Sequence, residues 1–329
     1  MFSDECYIPD IDEGFIPPIN SINFFDNIGE GYESNSSNNI ESMELIGQGS
    51  YGKVYRITRP GISGYRALKV IKLEKHEQGM IFNEIRCLSR IKSDYVTKFY
   101  GAWEETDPEE FGKTRYCIEM EYFDGITLME WMSMRKSFDI VKSTRIMQQI
   151  AKGLANIHSF SVIHRDFSPS NILINQNEQI KIIDFGLSDF AKDQPRRLIP
   201  PRPESVPHTY SLMINPIKAI PIPVESSSVS THGTPLYRSP EQKNGKKPST
   251  TDDIYSFGII IYEFFAMFKT RMELFKSIPN LTGKGQLPVR FEECFPVISN
   301  LIRSMIKNDA NKRPSASVVY EQLCEEICY

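Results

Sequence analysis

Lysine and arginine are absent from the first 46 residues, which hold ten Asp and Glu. The rest of the chain therefore carries a net +6 within a total of −4. That opening stretch cannot act as a basic arm for nucleic acid. It also lacks a basic region followed by an apolar run, so it does not read as a secretory leader. Long apolar runs are missing too. The longest, from Phe257 to Phe268, is interrupted by Tyr262 and Glu263 and is too short to span a bilayer, so no membrane partner is expected. The few cysteines (Cys6, Cys87, Cys117, Cys294, Cys324 and Cys328) show no metal-ligand spacing, which points to reduced thiols in a cytoplasmic or nuclear protein. What is present in quantity is core material, with 40% hydrophobic residues in 329. The modestly basic body suits a polyanion such as a nucleotide phosphate, and equally a solvated surface; no direct nucleic-acid site stands out.

Residues 1–40 mix acids, Asn, Ser and Pro with isolated aromatics and show no periodicity, as a flexible tail would. From residue 41 the pattern becomes that of a folded domain. Glu44 to Thr58 reads as strand, glycine loop, strand, with Gly47, Gly49 and Gly52 spaced G-x-G-x-x-G and Val54 following. That triplet arises by chance ~0.06 times in a chain of this glycine content, so by itself it decides little. A dinucleotide-binding turn would start a helix at the third glycine. Here the β-branched and aromatic run from Lys53 to Thr58 continues as a strand, which makes the loop a hairpin lid whose backbone N–H groups can approach phosphates.

Tyr65 to Leu73 alternates as a third strand, with Ala67 and Lys69 on one face and Leu68 and Val70 on the other. Met80 to Ile91 has Ile81, Ile85 and Leu88 at helical spacing. Glu84 sits beside that stripe, where an unpaired carboxylate is costly, and is the first choice to pair with Lys69, ahead of Glu77. Strands over 95–103 and 116–121 come next. An amphipathic helix over 139–159 follows, with Val141, Met147, Ile150, Ala151, Leu154 and Ile157 inward. Residues 193–231 hold eight prolines, which excludes a single helix or a central strand there. Thr250 to Phe268 is apolar nearly all round, as in a helix buried in a larger unit, so Asp253 needs a partner.

The most informative stretch is VIHRDFSPSNILINQNEQIKIIDFG, 162–186. Two short apolar strands, Ile172 to Asn175 and Gln179 to Ile183, carry Asp166, Asn171 and Asp184 at loop mouths. Such oxygen ligands suit a hard cation that bridges phosphates. The order His164-Arg165-Asp166, Asn171, Asp184-Phe185-Gly186 resembles the catalytic core of the protein kinases. The resemblance covers about residues 43–325. It implies an α+β, two-lobed fold: a small β-rich N-lobe (41–120) with one main helix, a hinge (121–125) and a larger, mostly helical C-lobe (126–329) with a long activation segment (184–241). It also implies an ATP-dependent Ser/Thr kinase in which Asp166 accepts the hydroxyl proton, Lys69 held by Glu84 grips phosphates, and Asn171 and Asp184 hold Mg²⁺. Ile46, Gly47, Gly49, Gly52, Val54, Ala67, Met120 and Leu173 would enclose the nucleotide, with Glu121 and Phe123 offering backbone groups to the base. Asp253 would hold the catalytic-loop backbone, and Arg313 would bridge Glu241.

Lys98-Phe-Tyr-Gly-Ala-Trp, Ile118-Glu-Met-Glu-Tyr, Gly233-Thr-Pro-Leu-Tyr-Arg-Ser-Pro-Glu-Gln and Phe268-Lys-Thr-Arg-Met-Glu resemble the kinases of the translation initiation factor two alpha subunit. That likeness implies this protein substrate, control of translation, and a docking helix near Phe268 to Ile278 with Phe268 and Phe275 exposed. It leaves a homodimer open. Phosphorylation is expected among Ser226, Ser227, Ser228, Ser230, Thr231 and Thr234, near enough to engage Arg165. One departure concerns chemistry: the lysine usual two residues after the catalytic aspartate is Ser168. The rival readings are a kinase with another substrate, such as a cell-cycle kinase, and a pseudokinase scaffold, for which Ser168 is the argument.

Overall fold

The architecture follows from where alternating strand faces find cover. The computed structural model describes residues 37–49, 52–72, 78–107, 114–191 and 235–325. Five antiparallel strands form one sheet: β1 (Ser42–Gly49), β2 (Gly52–Thr58), β3 (Arg66–Lys72), β4 (Phe99–Thr106) and β5 (Thr114–Glu121), in spatial order β1-β2-β3-β5-β4. On β3 the expected alternation sorts residues between two cores. Leu68 and Val70 join Ile57, Trp103 and Cys117 in a small outer cluster, onto which Ile40 packs. Ile71 faces the main core with Ile81, Ile85 and Leu88 of α1 (Gln78–Arg90), as the helical spacing required.

The expected strand from Tyr95 begins later, at Phe99. The backbone before it is spent elsewhere: Ile182 N–H donates to Tyr95 O at 2.8 Å and Thr97 N–H to Ile182 O at 3.1 Å. These bonds tie the five-stranded lobe to β9 (Ile180–Ile182), which pairs with β8 (Ile172–Ile174), itself paired with β6 (Ile126–Thr127). After α2 (Leu128–Met134), the long helix α3 (Ile140–Ser159) starts at Asp139, whose carboxylate caps Lys142 N at 3.0 Å. Met147, Ile150, Ala151, Leu154 and Ile157 are fully buried, but Val141 is 45% exposed. At 3.6 residues per turn Val141 stands about 120° around the helix from Met147, off the buried stripe.

The second lobe is otherwise helical. It contains α4 (Pro240–Lys243), α5 (Thr250–Ala266), α6 (Arg271–Lys284), α7 (Val289–Cys294), α8 (Pro296–Met305) and α9 (Ala316–Glu325). Helix α5 is buried along nearly its whole length, as its composition demanded. It stops two residues earlier than expected because Met267 turns into the left-handed region at φ 49°. That turn folds Phe268 back onto Tyr262, ring centroids 5.3 Å apart, so Phe268 is half-buried rather than exposed. No helix among the described residues is long and apolar enough to cross a membrane.

Candidate active site

The glycine hairpin closes one side of the cleft. Gly47 pairs with Val54, and Gly49 with Gly52, across β1 and β2. A Cβ at Gly52 would sit 2.2 Å from Val70 O, so no side chain fits where the hairpin crosses β3. Register places Val54 opposite Lys69, and Ala67 opposite Met120. Ile46 on β1 is exposed, and Leu173 is the half-buried residue between buried Ile172 and Ile174, so it turns to the opposite face of β8. In the hinge, Glu121 N–H is already committed to Lys98 O at 2.8 Å. Only its carbonyl remains for a ligand, and this takes one long bond, 3.3 Å, from Thr97 Oγ1. Its carboxylate is held by Lys181 at 2.8 Å. The N–H of Phe123 makes no backbone hydrogen bond among the described residues.

Lys69 Nζ contacts Glu84 Oε1 at 2.6 Å and Asp184 Oδ1 at 3.0 Å. Of the two proposed acidic partners, Glu84 is therefore the one in place; Glu77 lies outside the described residues. Burial by itself would lower the Lys69 pKa, but the two carboxylates outweigh it and raise it, so the ammonium stays charged. Burial likewise pushes Asp184 up, and the Lys69 charge beside it more than reverses this, leaving Asp184 below the usual carboxylate range. Burial raises Glu84, which Lys69 only partly offsets.

The loop carrying Asp166 is bent by Arg165 at φ 67°, and Asp184 has φ 63°, conformations that non-glycine residues seldom adopt. The surroundings hold both bends. Asp253, almost wholly buried, accepts His164 N–H at 2.8 Å, Arg165 N–H at 2.8 Å and His158 Nε2 at 2.9 Å. The anomaly noted in the sequence thus has three partners. Gln242 of α4 adds a bond from Nε2 to Arg165 O at 2.8 Å. Asn171 Nδ2 donates to Asp166 O at 2.8 Å and to Asp166 Oδ2 at 3.0 Å. Its amide oxygen is thereby left to face other ligands. Farther out, Arg313 Nη2 bonds Glu241 Oε2 at 2.8 Å, the expected structural bridge.

Sequence reasoning missed His158, which steadies Asp253 from the end of α3, and Gln242, which reaches the loop from a helix distant in sequence. Ser168 precedes the single turn Pro169–Asn171. Its backbone O accepts Asn171 N–H at 3.0 Å, but its buried hydroxyl makes no cap bond and has no hydrogen-bond partner among the described residues. The phosphorylatable cluster 226–234 lies outside the described residues.

A buried Lys–Glu pair joined to half-buried Asp184, together with an Asp–Asn pair and a glycine hairpin, is the arrangement of a phosphoryl-transfer site. The protein kinase domain family matches residues 40–324. The chain belongs to the protein kinase family. It is 28% identical over 320 residues to the eIF-2-alpha kinase GCN2 of Arabidopsis thaliana, covering 85% of this chain and 24% of that protein. It is 26% identical to the MAP kinase kinase MKK1/SSP32 of Saccharomyces cerevisiae, covering 90% of this chain and 55% of that one. It is 27% identical to the serine/threonine-protein kinase pkn2 of Myxococcus xanthus, covering 84% and 31% respectively. The chain thus spans a quarter to about half the length of these curated relatives. The family implies ATP and a divalent metal. The donors fit such a group: Asp184 is half-buried with its charge retained, and Asn171 keeps its oxygen free by spending its nitrogen on Asp166.

Proposed function

We propose that this kinase transfers the γ-phosphoryl group of ATP to a serine of the translation initiation factor two alpha subunit and so lowers protein synthesis. In this reading Asp166 orients the acceptor hydroxyl and takes its proton, while Lys69, fixed by Glu84, grips phosphate oxygens. Asn171 and Asp184 would hold Mg²⁺, which when bound supplies neutralising charge to the phosphates. The catalysis supplied by the chain is then positioning and charge stabilisation.

What carries the substrate assignment is α6 and the segment leading into it, whose sequence resembles that subfamily and which presents Met272 at 63% and Phe275 at 50% exposure. With Phe268 folded inward, the docking patch centres on Thr270, Met272 and Phe275. The test is labelled phosphate transfer from ATP to the purified alpha subunit, against an unrelated serine-bearing protein. Transfer to both at equal rates would remove the substrate assignment and leave the kinase.

Thr270 offers a sharper probe, because its hydroxyl caps α6 by accepting Glu273 N–H at 3.2 Å. Aspartate caps a helix at least as well, so Thr270→Asp should keep the helix while placing a charge in the patch. The expected result is about tenfold weaker transfer to the protein substrate with autophosphorylation spared. Equal loss of both would make α6 purely structural.

Ser168 sets a second expectation. Its unpartnered hydroxyl contributes no cap bond, and a buried hydroxyl without a partner costs on the order of 1–3 kcal/mol. Ser168→Ala should therefore leave the unfolding midpoint unchanged or raised. Ser168→Lys restores a cation where charge develops, and losing one such donor typically costs on the order of 10²–10³ in rate. We expect kcat to rise by at least about tenfold with little change in KM for ATP, as read by steady-state kinetics. If the lysine variant folds, binds ATP and turns over no faster, the missing charge is not limiting.

A further inference from the structure

Helix α1 carries Glu84 and packs Ile81, Ile85 and Leu88 on the main core, but it also has contacts outside the Lys69–Glu84–Asp184 triad and that core. Two residues link it to β10 (Asp189–Phe190), which pairs antiparallel with β7 (Val162–Ile163), the strand leading into His164-Arg165-Asp166. The Arg86 guanidinium lies 5.0 Å from the Phe190 ring centroid, and that of Arg90, one turn on, lies 5.1 Å from the same ring. A third link runs from Asn83 Nδ2 to Ser188 O. The same neighbourhood holds Asp189, whose carboxylate lies 4.0 Å from Arg165 Nη1. The buried Cys87 thiol, between the two arginines in sequence, feels the charges of Asp189, Arg86 and Arg90 together. Phe190 thus stands between α1 and the strand that feeds the catalytic loop.

We propose that Phe190 is a positioning residue, a ring gripped by Arg86 and Arg90 that latches α1 in the place where Glu84 meets Lys69. The latch works through the face of the ring, because a guanidinium is drawn to the π-electron density and less to an aliphatic surface. It also occupies a telling position in the chain. The proline-rich stretch follows shortly after Phe190 in sequence, and the strand that leads toward it is tied at once to the catalytic-loop strand and to the helix of Glu84. Cys87 supplies a reporter that does not depend on catalysis: its side chain is 0% exposed while α1 is latched.

The test compares Phe190→Ala, Phe190→Leu and Phe190→Trp in the full chain. Leucine keeps apolar bulk without the ring face, and tryptophan keeps the face. Two partly exposed cation–π contacts imply a loss of about 5- to 30-fold. We expect kcat to fall by that factor in the alanine and leucine variants with little change in KM for the protein substrate, and to recover in the tryptophan variant. Alkylation of Cys87 by iodoacetamide, located by peptide mass mapping, should speed up in the first two and stay slow in the third. Combining Phe190→Leu with Glu84→Gln should add little further loss, since both act through one ion pair. The inference rests on the kinase reading for its rate arm, whereas Cys87 protection tests the latch even in a chain without turnover. Leucine matching wild type in both kcat and Cys87 protection would overturn it, as would additive losses in the double variant. Should the alanine variant fail to fold, the leucine and tryptophan pair decides the matter.

Discussion

Asp184→Asn and Lys69→Met are each expected to cut phosphoryl transfer by on the order of 10³-fold or more while the chain stays folded. The two fail for different reasons. Asparagine keeps the shape of Asp184 but removes the anion that faces both Lys69 and the proposed metal site, so the loss should appear in kcat. Methionine keeps the length of Lys69 and removes its charge. Lys69 and Glu84 are both buried, at 8% and 3% exposure. Removing the ammonium leaves Glu84 buried alone, and since burial already raises its pKa, it should take up a proton in place of an unpaired charge. The stability cost is then a few kcal/mol and not collapse, to be read from denaturant midpoints beside the kinetics. Near-normal turnover in either variant is incompatible with the proposed roles.

The second large effect belongs to Asp253. Its carboxylate satisfies two backbone N–H groups and one imidazole, all buried or half-buried. In Asp253→Ala these donors lose their acceptor at once, and at about 1–3 kcal/mol for each buried unmade bond the variant should be destabilised by at least about 3 kcal/mol. Function should suffer as well, because the backbone bend at Arg165 that presents Asp166 is held by these bonds. Asp253→Asn keeps one acceptor oxygen and should fall between alanine and wild type in both midpoint and kcat. An alanine variant with unchanged midpoint and turnover would show that the loop holds its bend unaided.

The parts of this site that were legible in the sequence are those whose meaning is local or whose chemistry is anomalous. Asp166, Asn171 and Asp184 are spaced by short strands, so their convergence follows from the stretch itself. Glu84 and Asp253 stood out as acids on apolar helix faces, and each proved to be buried with partners. Val141 was misread because apolarity was counted without fixing its angle around the helix. Phe268 was misread because a left-handed turn at Met267 is invisible in composition. The grip of Arg86 and Arg90 on Phe190 was out of reach for another reason: it depends on how α1 docks against β10, about a hundred residues later.

The most direct test of the account is labelled transfer from γ-labelled ATP, with Mg²⁺ and an acceptor protein, by the wild-type chain and by Asp166→Asn, followed by phosphoamino-acid analysis. The account requires label on serine or threonine with wild type and a loss on the order of 10²-fold or more with Asp166→Asn. Equal transfer by the two proteins, or none by wild type to any acceptor including itself, would contradict it.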